Sequence, residues 1–478
     1  MVARRTSRQR LLAIAPFLVF LAVLLWISLP VGLGSLGGSG ISVLTYSRDA
    51  AVAFGAGDSG SLLRAAISLR DSGAILDDQR WVFNVWPPGM LVVDVALLGI
   101  ESATGIPIVL LMVIFTCVVL AVFLGCAFAV IRAIGGWVPA ILFGIGVVLY
   151  SGVSGWSLRR GLFYSDTFGV IGFGFALLCL LLLFRAETVR ARWMWAVLAG
   201  VSLATGAYFR ASFEVVATGT LLVAGLVLVV ALLARWRQKW RRFSGGAISA
   251  LLPLVVMSAV AQVVMLPWRI YVGVRNHPGD FRWSALSELA SVARWLPEPV
   301  LRENNLLSSV LSHSNWACQN DPEQCQAIYT LEQTAQNPYG GSNGGYYTAG
   351  QFDQFVLGSF FAHPFTFIAE RIEALGLGFV SNTGLSLRAY AMPESIVIVA
   401  LFIATVVVFI RTRAFANPAY LFFFIATLGQ VATLLLLHME PRYFLGIELS
   451  TIIMGSAALA TVYRNRRPVP GRPAEELP

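Results

Sequence analysis

Charge is what this chain has least of: Asp, Glu, Lys and Arg together make 12% of its 478 residues, about half the share of an ordinary soluble domain. Hydrophobic residues make 57% and the mean hydropathy is +0.74. A water-soluble globule is excluded. Lysine is almost missing, Lys239 standing alone, so the net charge of +9 is carried by arginine, which stays charged when partly desolvated and grips phosphate in a planar fork. Because the arginines stand at the ends of apolar runs and not in one patch, they read as membrane topology, and nucleic acid is excluded as a partner. Histidine, with four residues, and cysteine, with five, are sparse. No transporter-like or solenoid repeat is evident, and no small-residue cleavage pattern marks a removed signal peptide after Arg10.

What the chain does have is long apolar runs. About ten of them, near 11–33, 106–131, 136–154, 165–185, 193–211, 213–234, 246–267, 394–411, 418–438 and 443–463, suit about 30 Å of hydrocarbon. Basic stretches at Arg4 to Arg10, Arg132, Arg185 to Arg192, Arg235 to Arg242, Arg411 to Arg413 and Arg464 to Arg467 then set the sidedness, since arginine-rich short loops stay cytoplasmic. All fall on one side only if Pro88 to Thr104 does not span. That run is short, with about fourteen apolar residues, and predicts a helix lying on the outer surface or re-entrant. The fold class is therefore an all-α polytopic membrane protein with about ten transmembrane helices, outer-surface amphipathic helices and a large outer loop. Both termini are cytoplasmic. Residues 1–267 form an N-terminal transmembrane module whose first outer loop is 34–105, residues 268–392 form the large outer loop with surface helices, residues 393–467 form the last transmembrane helices, and 468–478 is a disordered cytoplasmic tail.

Four polar segments fall on the outer side: 34–105, the Ser157 to Asp166 turn, 268–392, and Glu440 to Tyr443. The first and third are too long to be connectors, which makes them the expected seat of function. Gly57-Asp58 opens a short amphipathic segment that leads to Asn84-Val85-Trp86-Pro87-Pro88-Gly89, a carboxylate followed by a rigid proline turn. Far along the chain, Glu440-Pro441-Arg442-Tyr443 sits between two apolar runs on the same side. Two distant polar clusters facing one compartment imply one site.

Cys117, Cys126 and Cys179 lie within apolar runs as small core residues. Cys318 and Cys325 share the long outer loop, where an oxidising compartment favours a disulfide, with a metal pair near His313 as the alternative. The tract Asn337 to Tyr347 is rich in glycine and tyrosine; it is either a flexible connector or a mobile lid whose rings stack on a sugar. Residues 365–379 predict another helix at the membrane surface, with Glu370, Arg371 and Glu373 on one turn.

Each polar residue has a structural alternative beside a chemical one. Asp58 can cap a helix starting near Ser61, and Asp166 can cap the fourth transmembrane helix, as Asp commonly does. Arg210 can snorkel at the boundary or pair with Glu214 one turn on. Asp94, a lone carboxylate in an apolar run, argues that its segment is not within lipid.

In order, the motifs resemble the GT-C class of integral-membrane glycosyltransferases, in the branch of the lipid A aminoarabinose transferases and the protein mannosyltransferases. The resemblance rests on the Asp58-led loop, the Ala66, Leu69, Gly73 spacing, Pro87-Pro88 opening a helix that ends in Leu97-Leu98-Gly99, and Ser165-Asp166 heading a helix. It continues with Arg210 closing the fifth, Leu266-Pro267-Trp268 with Arg275-Asn276 leaving the seventh, and Glu440-Pro441-Arg442-Tyr443 before the last. Two features depart from that class: Ser59 stands where a second acidic residue often follows the Asp, and no large soluble C-terminal domain is present.

The resemblance implies transfer of a hexose or pentose from a polyprenyl-phosphate donor to a cell-envelope hydroxyl, on a protein, lipid or polysaccharide, by single-displacement inversion. It implies Asp58 and Asp166 as the carboxylates that take the hydroxyl proton, and Arg210 and Arg442, with Arg269 or Arg275, as the cations on the departing phosphate. Pro87, Pro88, Glu440 and Tyr443 support them. No metal ligand set and no certain cofactor is implied, although a divalent cation is possible. Two other classes stand beside this one. A lipid-linked oligosaccharide flippase or transporter predicts charges near the bilayer midplane, and an O-antigen type polymerase or ligase lacks the Asp58 and Pro87-Pro88 arrangement.

Overall fold

The structure is a computed structural model. It describes residues 7–29, 58–74, 87–155, 158, 165–210, 212–236, 241–276, 365, 368, 369, 372, 375, 388–412, 414, 417–436 and 444–466. All secondary structure among them is helical. In chain order the helices are α1 (Ser7–Ser28), α2 (Asp58–Ser72), α3 (Gly89–Thr104), α4 (Ile108–Gly135), α5 (Trp137–Leu149), α6 (Ser151–Ser154) and α7 (Asp166–Arg185). They continue as α8 (Val189–Phe209), α9 (Ser212–Trp236), α10 (Arg241–Asn276), α11 (Arg388–Arg411), α12 (Pro418–Leu436) and α13 (Leu445–Arg466).

Each of the apolar runs singled out in the sequence holds one of these helices. Six of them are long and apolar enough to cross a bilayer: α4, α7, α9, α10, α11 and α13, and α1, α5 and α12 include shorter apolar helices. The faces of α9 and α11 show Leu226, Val230, Ile396 and Ile403 outward, apolar surface that water would not tolerate at this density. The protein is a multi-pass membrane protein.

Helices α7 and α8 make the most extensive contact, and two glycines explain it. A Cβ on Gly172 would lie 2.5 Å from the backbone N of Gly206, and one on Gly206 would lie 2.9 Å from the Gly169 carbonyl oxygen. Only glycine at both positions lets the backbones meet, the usual device for helix association in lipid. Around this pair, α9 and α10 pack on each other and on α8, while α1 with α4 and α11 with α13 form the flanks. Phe123, Phe173, Phe422 and Phe423 fill the centre.

Helix α3 has 16 residues, about 24 Å of rise and short of the hydrocarbon thickness. It packs along α2 in parallel, the two C-terminal ends held together by Arg70, whose Nη1 donates to the Leu98 carbonyl at 3.1 Å and to Ser102 Oγ at 2.8 Å. The helix fills the Pro88 to Thr104 run of the sequence, continuing past the Leu97-Leu98-Gly99 motif to Thr104. No residue there breaks it: Ser102 and Thr104 donate back to the Leu98 and Ile100 carbonyls, and the chain turns only at Gly105, at φ 71°. Glu101 then accepts from Ile108 N at 2.9 Å, fixing the entry into α4.

Two boundaries move. Helix α2 starts at Asp58 and not near Ser61. Helix α10 passes through Pro253 and Pro267 to Asn276, across the division expected at 267. Neighbouring helices re-satisfy groups that a proline frees, and here Tyr208 Oη donates to the Val264 carbonyl at 2.8 Å, in the turn before Pro267. Cys117 and Cys179 are buried as expected, but Cys126 faces outward from α4.

Since Ser72 and Ser102 lie at the same end of the parallel α2–α3 pair, single cysteines placed there in a background without native cysteines share one fate. We expect both, and one at Ser59, to react with an impermeant thiol reagent in intact cells. Protection of the Ser102 cysteine alone would mean that α3 crosses the membrane.

Candidate functional site

Buried charge collects at one end of the bundle. Asp166, the first residue of α7, and Arg210, which follows the last residue of α8, are each almost wholly buried and meet at 3.0 Å from Nε to Oδ1. The local chain explains the meeting. Arg210 has extended backbone, φ −147° and ψ 116°, so α8 stops there and the side chain turns across to the start of α7. Gly169 lies one turn from Asp166, and a Cβ on it would sit 3.0 Å from Arg210 Cβ; the small residue makes room for the arginine.

A second pair lies beside the first. Arg269 on α10 donates from Nε to Glu214 Oε1 at 2.6 Å and its Nη2 also contacts that oxygen. The neighbour pairing of Arg210 with Glu214, one of the alternatives the sequence left open, is not made. With Arg210 outside the helix, the one-turn geometry that brings residues four apart together is lost. Glu214, in the first turn of α9, turns to α10 instead. Tyr208 links the two pairs, since it precedes Arg210 by two residues, donates into α10 and lies within electrostatic reach of both Arg269 and Glu214.

The proline turn is set against the same place. Pro87 is buried, Pro88 has helical φ and ψ of −78° and −4°, and a Cβ on Gly89 would stand 2.6 Å from the Tyr208 carbonyl oxygen. Glycine is required there for α3 to begin against the end of α8. Pro87, Pro88, Asp166, Arg210 and Arg269 thus come together, with helix α2 packed along α3.

The Asp58 side chain lies outside the described residues, although helix α2 begins at Asp58. The Arg275 side chain also lies outside them, as do Glu440, Arg442, Tyr443, Cys318, Cys325 and the glycine-tyrosine tract. Among the described residues no three His, Cys, Asp or Glu side chains stand together as metal ligands.

Two acids escaped the sequence reading, Glu448 buried and Glu394 half-buried. Glu448 on α13 accepts a short hydrogen bond from Tyr150 Oη, and Glu394 Oε1 accepts from Ser151 N at 2.7 Å. They tie the turn between α5 and α6 to the starts of α13 and α11. A lone Glu448 inside an apolar run was the available signal, since carboxylates in such runs are costly unless they serve something. Phe213 connects this cluster with the first: it touches the Gly169 turn, and a Cβ on Gly446 would lie 3.6 Å from its Cζ.

Asp94, the lone carboxylate in an apolar run, is covered by protein. It lies on the packed face of α3 with Met90, Leu91, Leu97 and Leu98, buried, with Oδ1 lacking a hydrogen-bond partner. Burial pushes its carboxyl well above the usual carboxylate range, toward the neutral acid.

The fold and the site together define a polytopic α-helical membrane protein with buried arginine–carboxylate pairs gathered at one end of its bundle. No family model matches the chain, and no curated protein matches it. Among solved structures the chain is similar to the crystal structure of ArnT from Cupriavidus metallidurans bound to undecaprenyl phosphate, at 14% sequence identity and a TM-score of 0.38, over 95% of this chain and 78% of that one.

Proposed function

We propose that this protein is a glycosyltransferase of the cell membrane that moves a sugar from a polyprenyl-phosphate donor to a hydroxyl of the cell envelope, at the outer face and with inversion. The observation that carries the reading is the convergence of Pro87-Pro88, Asp166, Arg210 and Arg269, drawn from four separated parts of the sequence, at one end of the bundle. Charges at helix ends suit an interfacial reaction. A transporter needs them near the midplane, and neither Asp166 at the start of α7 nor Arg210 at the end of α8 lies there.

In the proposed step Asp58 takes the proton of the acceptor hydroxyl while its oxygen attacks the anomeric carbon. The bond from that carbon to the phosphate oxygen breaks, and polyprenyl phosphate leaves with the electron pair. Arg442 and Arg275 hold the leaving phosphate, because a guanidinium fork matches its oxygens. Arg210 and Arg269, each sharing a carboxylate, orient the wall of the site next to the proline turn, and Glu440 and Tyr443 flank Arg442.

The test is direct. Purified protein in mixed micelles, given a panel of polyprenyl-phosphate sugars, is expected to consume one of them only when envelope extract is present, and a deletion strain is expected to lack one envelope sugar by mass analysis. Consumption of none of the donors, with unchanged envelope glycans, would remove the proposal.

A further inference from the structure

Along the lipid-facing flank of the bundle lies a feature that the transfer reaction does not use. Helices α1, α4 and α5 enclose an open groove of about 520 Å³ whose lining is apolar throughout, from Phe20 and Phe128 at its base to Ile141, Gly144 and Ile145 along one wall. It opens toward the lipid-facing side, where Val19, Ile145 and Leu149 show their side chains. Trp137 closes one end. Its ring meets Phe128 edge-on at 6.2 Å, and the Arg132 guanidinium lies over it at 4.6 Å.

The arginine is not alone. Arg185 donates to the Ala133 carbonyl at 2.5 Å, and Arg464 lies within electrostatic reach of Arg185. None of the three pairs with a carboxylate among the described residues. Helix α1 runs antiparallel to α4, Cys117 Sγ meeting Ser28 Oγ and Gly125 meeting Phe17, so the start of α1, with Arg8 and Arg10, falls at this same end. An apolar groove that ends under an aromatic ring and uncompensated arginines has the shape and charge of one ligand class: a hydrocarbon chain attached to an anion.

We propose that this groove is a binding site for an anionic phospholipid of the surrounding bilayer, its acyl chain lying along α5 and its phosphate at Arg132. Arginines at a membrane surface favour anionic over zwitterionic headgroups by about fivefold each, and a guanidinium already stacked on Trp137 loses little freedom on binding. The site does not depend on the transferase reading.

Native mass spectrometry of the delipidated full-length protein, titrated with phosphatidylglycerol or phosphatidylcholine of equal chain length, tests it. One phosphatidylglycerol is expected to be retained at least about fivefold more tightly than phosphatidylcholine, and Arg132→Gln is expected to abolish that preference. Gly144→Leu fills the groove, since a Cβ there meets only ring atoms of Phe128 and Phe20 at 3.6 and 3.7 Å, and is expected to lower retention of both lipids. Should Gly144→Leu fail to fold, Ile145→Trp blocks the mouth from its exposed side and replaces it. Equal retention of the two lipids overturns the proposal. So does wild-type retention in Arg132→Gln and in the groove-filling variant, or a preference of the same residues for polyprenyl phosphate over phosphatidylglycerol.

Discussion

Arg210→Ala is expected to lower the stability of the full-length protein by about 3 to 5 kcal/mol, read as a fall in the thermal unfolding midpoint in detergent. The cost comes from what remains. Asp166 and Arg210 keep only 7% and 6% of their side-chain surface exposed and meet at 3.0 Å, so removing the guanidinium takes the opposite charge from a buried carboxylate. Breaking a buried pair by removing one member costs far more than the intact pair contributes. The double variant Asp166→Asn with Arg210→Met removes both charges at similar volume, and most of the lost stability is expected to return. Measured beside the single variants Asp166→Asn and Arg210→Met, the double variant closes a cycle that gives the coupling between the two residues. If the double variant is as unstable as Arg210→Ala, the loss belongs to packing beside Gly169 and not to charge. Because Arg210→Ala also disturbs the wall behind Pro87, its activity is interpretable only next to this measurement.

The sequence exposes helices better than it exposes partners. Apolar length is a property of consecutive residues, and each apolar run in the sequence became a helix. Boundaries were less legible where breakers are neutralised by distant groups. Pro267 reads as an end, but α10 continues because its environment, including Tyr208 on α8, accommodates the proline. Pairing was the least legible. Glu214 stands four residues after Arg210, the right spacing for a helix, and only the extended backbone at Arg210 sends each residue to a partner far away in sequence. Glu448 and Tyr150 lie on opposite sides of the chain's length and meet through the packing of α5 on α13, which no local pattern encodes. Glycine was the clearest long-range signal after the event: Gly172, Gly206 and Gly89 each mark a place where two backbones touch.

Asp58→Asn is expected to cut turnover by about 100-fold or more while leaving the unfolding midpoint almost unchanged. Helix α2 begins at Asp58, and a carboxylate in a first helical turn is in general worth about 0.3 to 1 kcal/mol at an exposed position. Asparagine is among the best residues for a helix start, which keeps the structural loss small and isolates the proton-accepting role. Binding of polyprenyl phosphate, measured by native mass spectrometry on the same sample, is expected to survive, because the base acts on the acceptor and not on the donor. Arg442→Ala is expected to reverse the pattern: donor affinity weakens, by about 2 to 5 kcal/mol for a desolvated charge-assisted contact, and the stability stays. Should Asp58→Asn keep wild-type turnover, the base is Asp166, and Asp166→Asn paired with Arg210→Met separates that role from bracing. If neither carboxylate alters turnover, the transferase reading falls, and transport of the lipid-linked sugar replaces its transfer as the function to be measured.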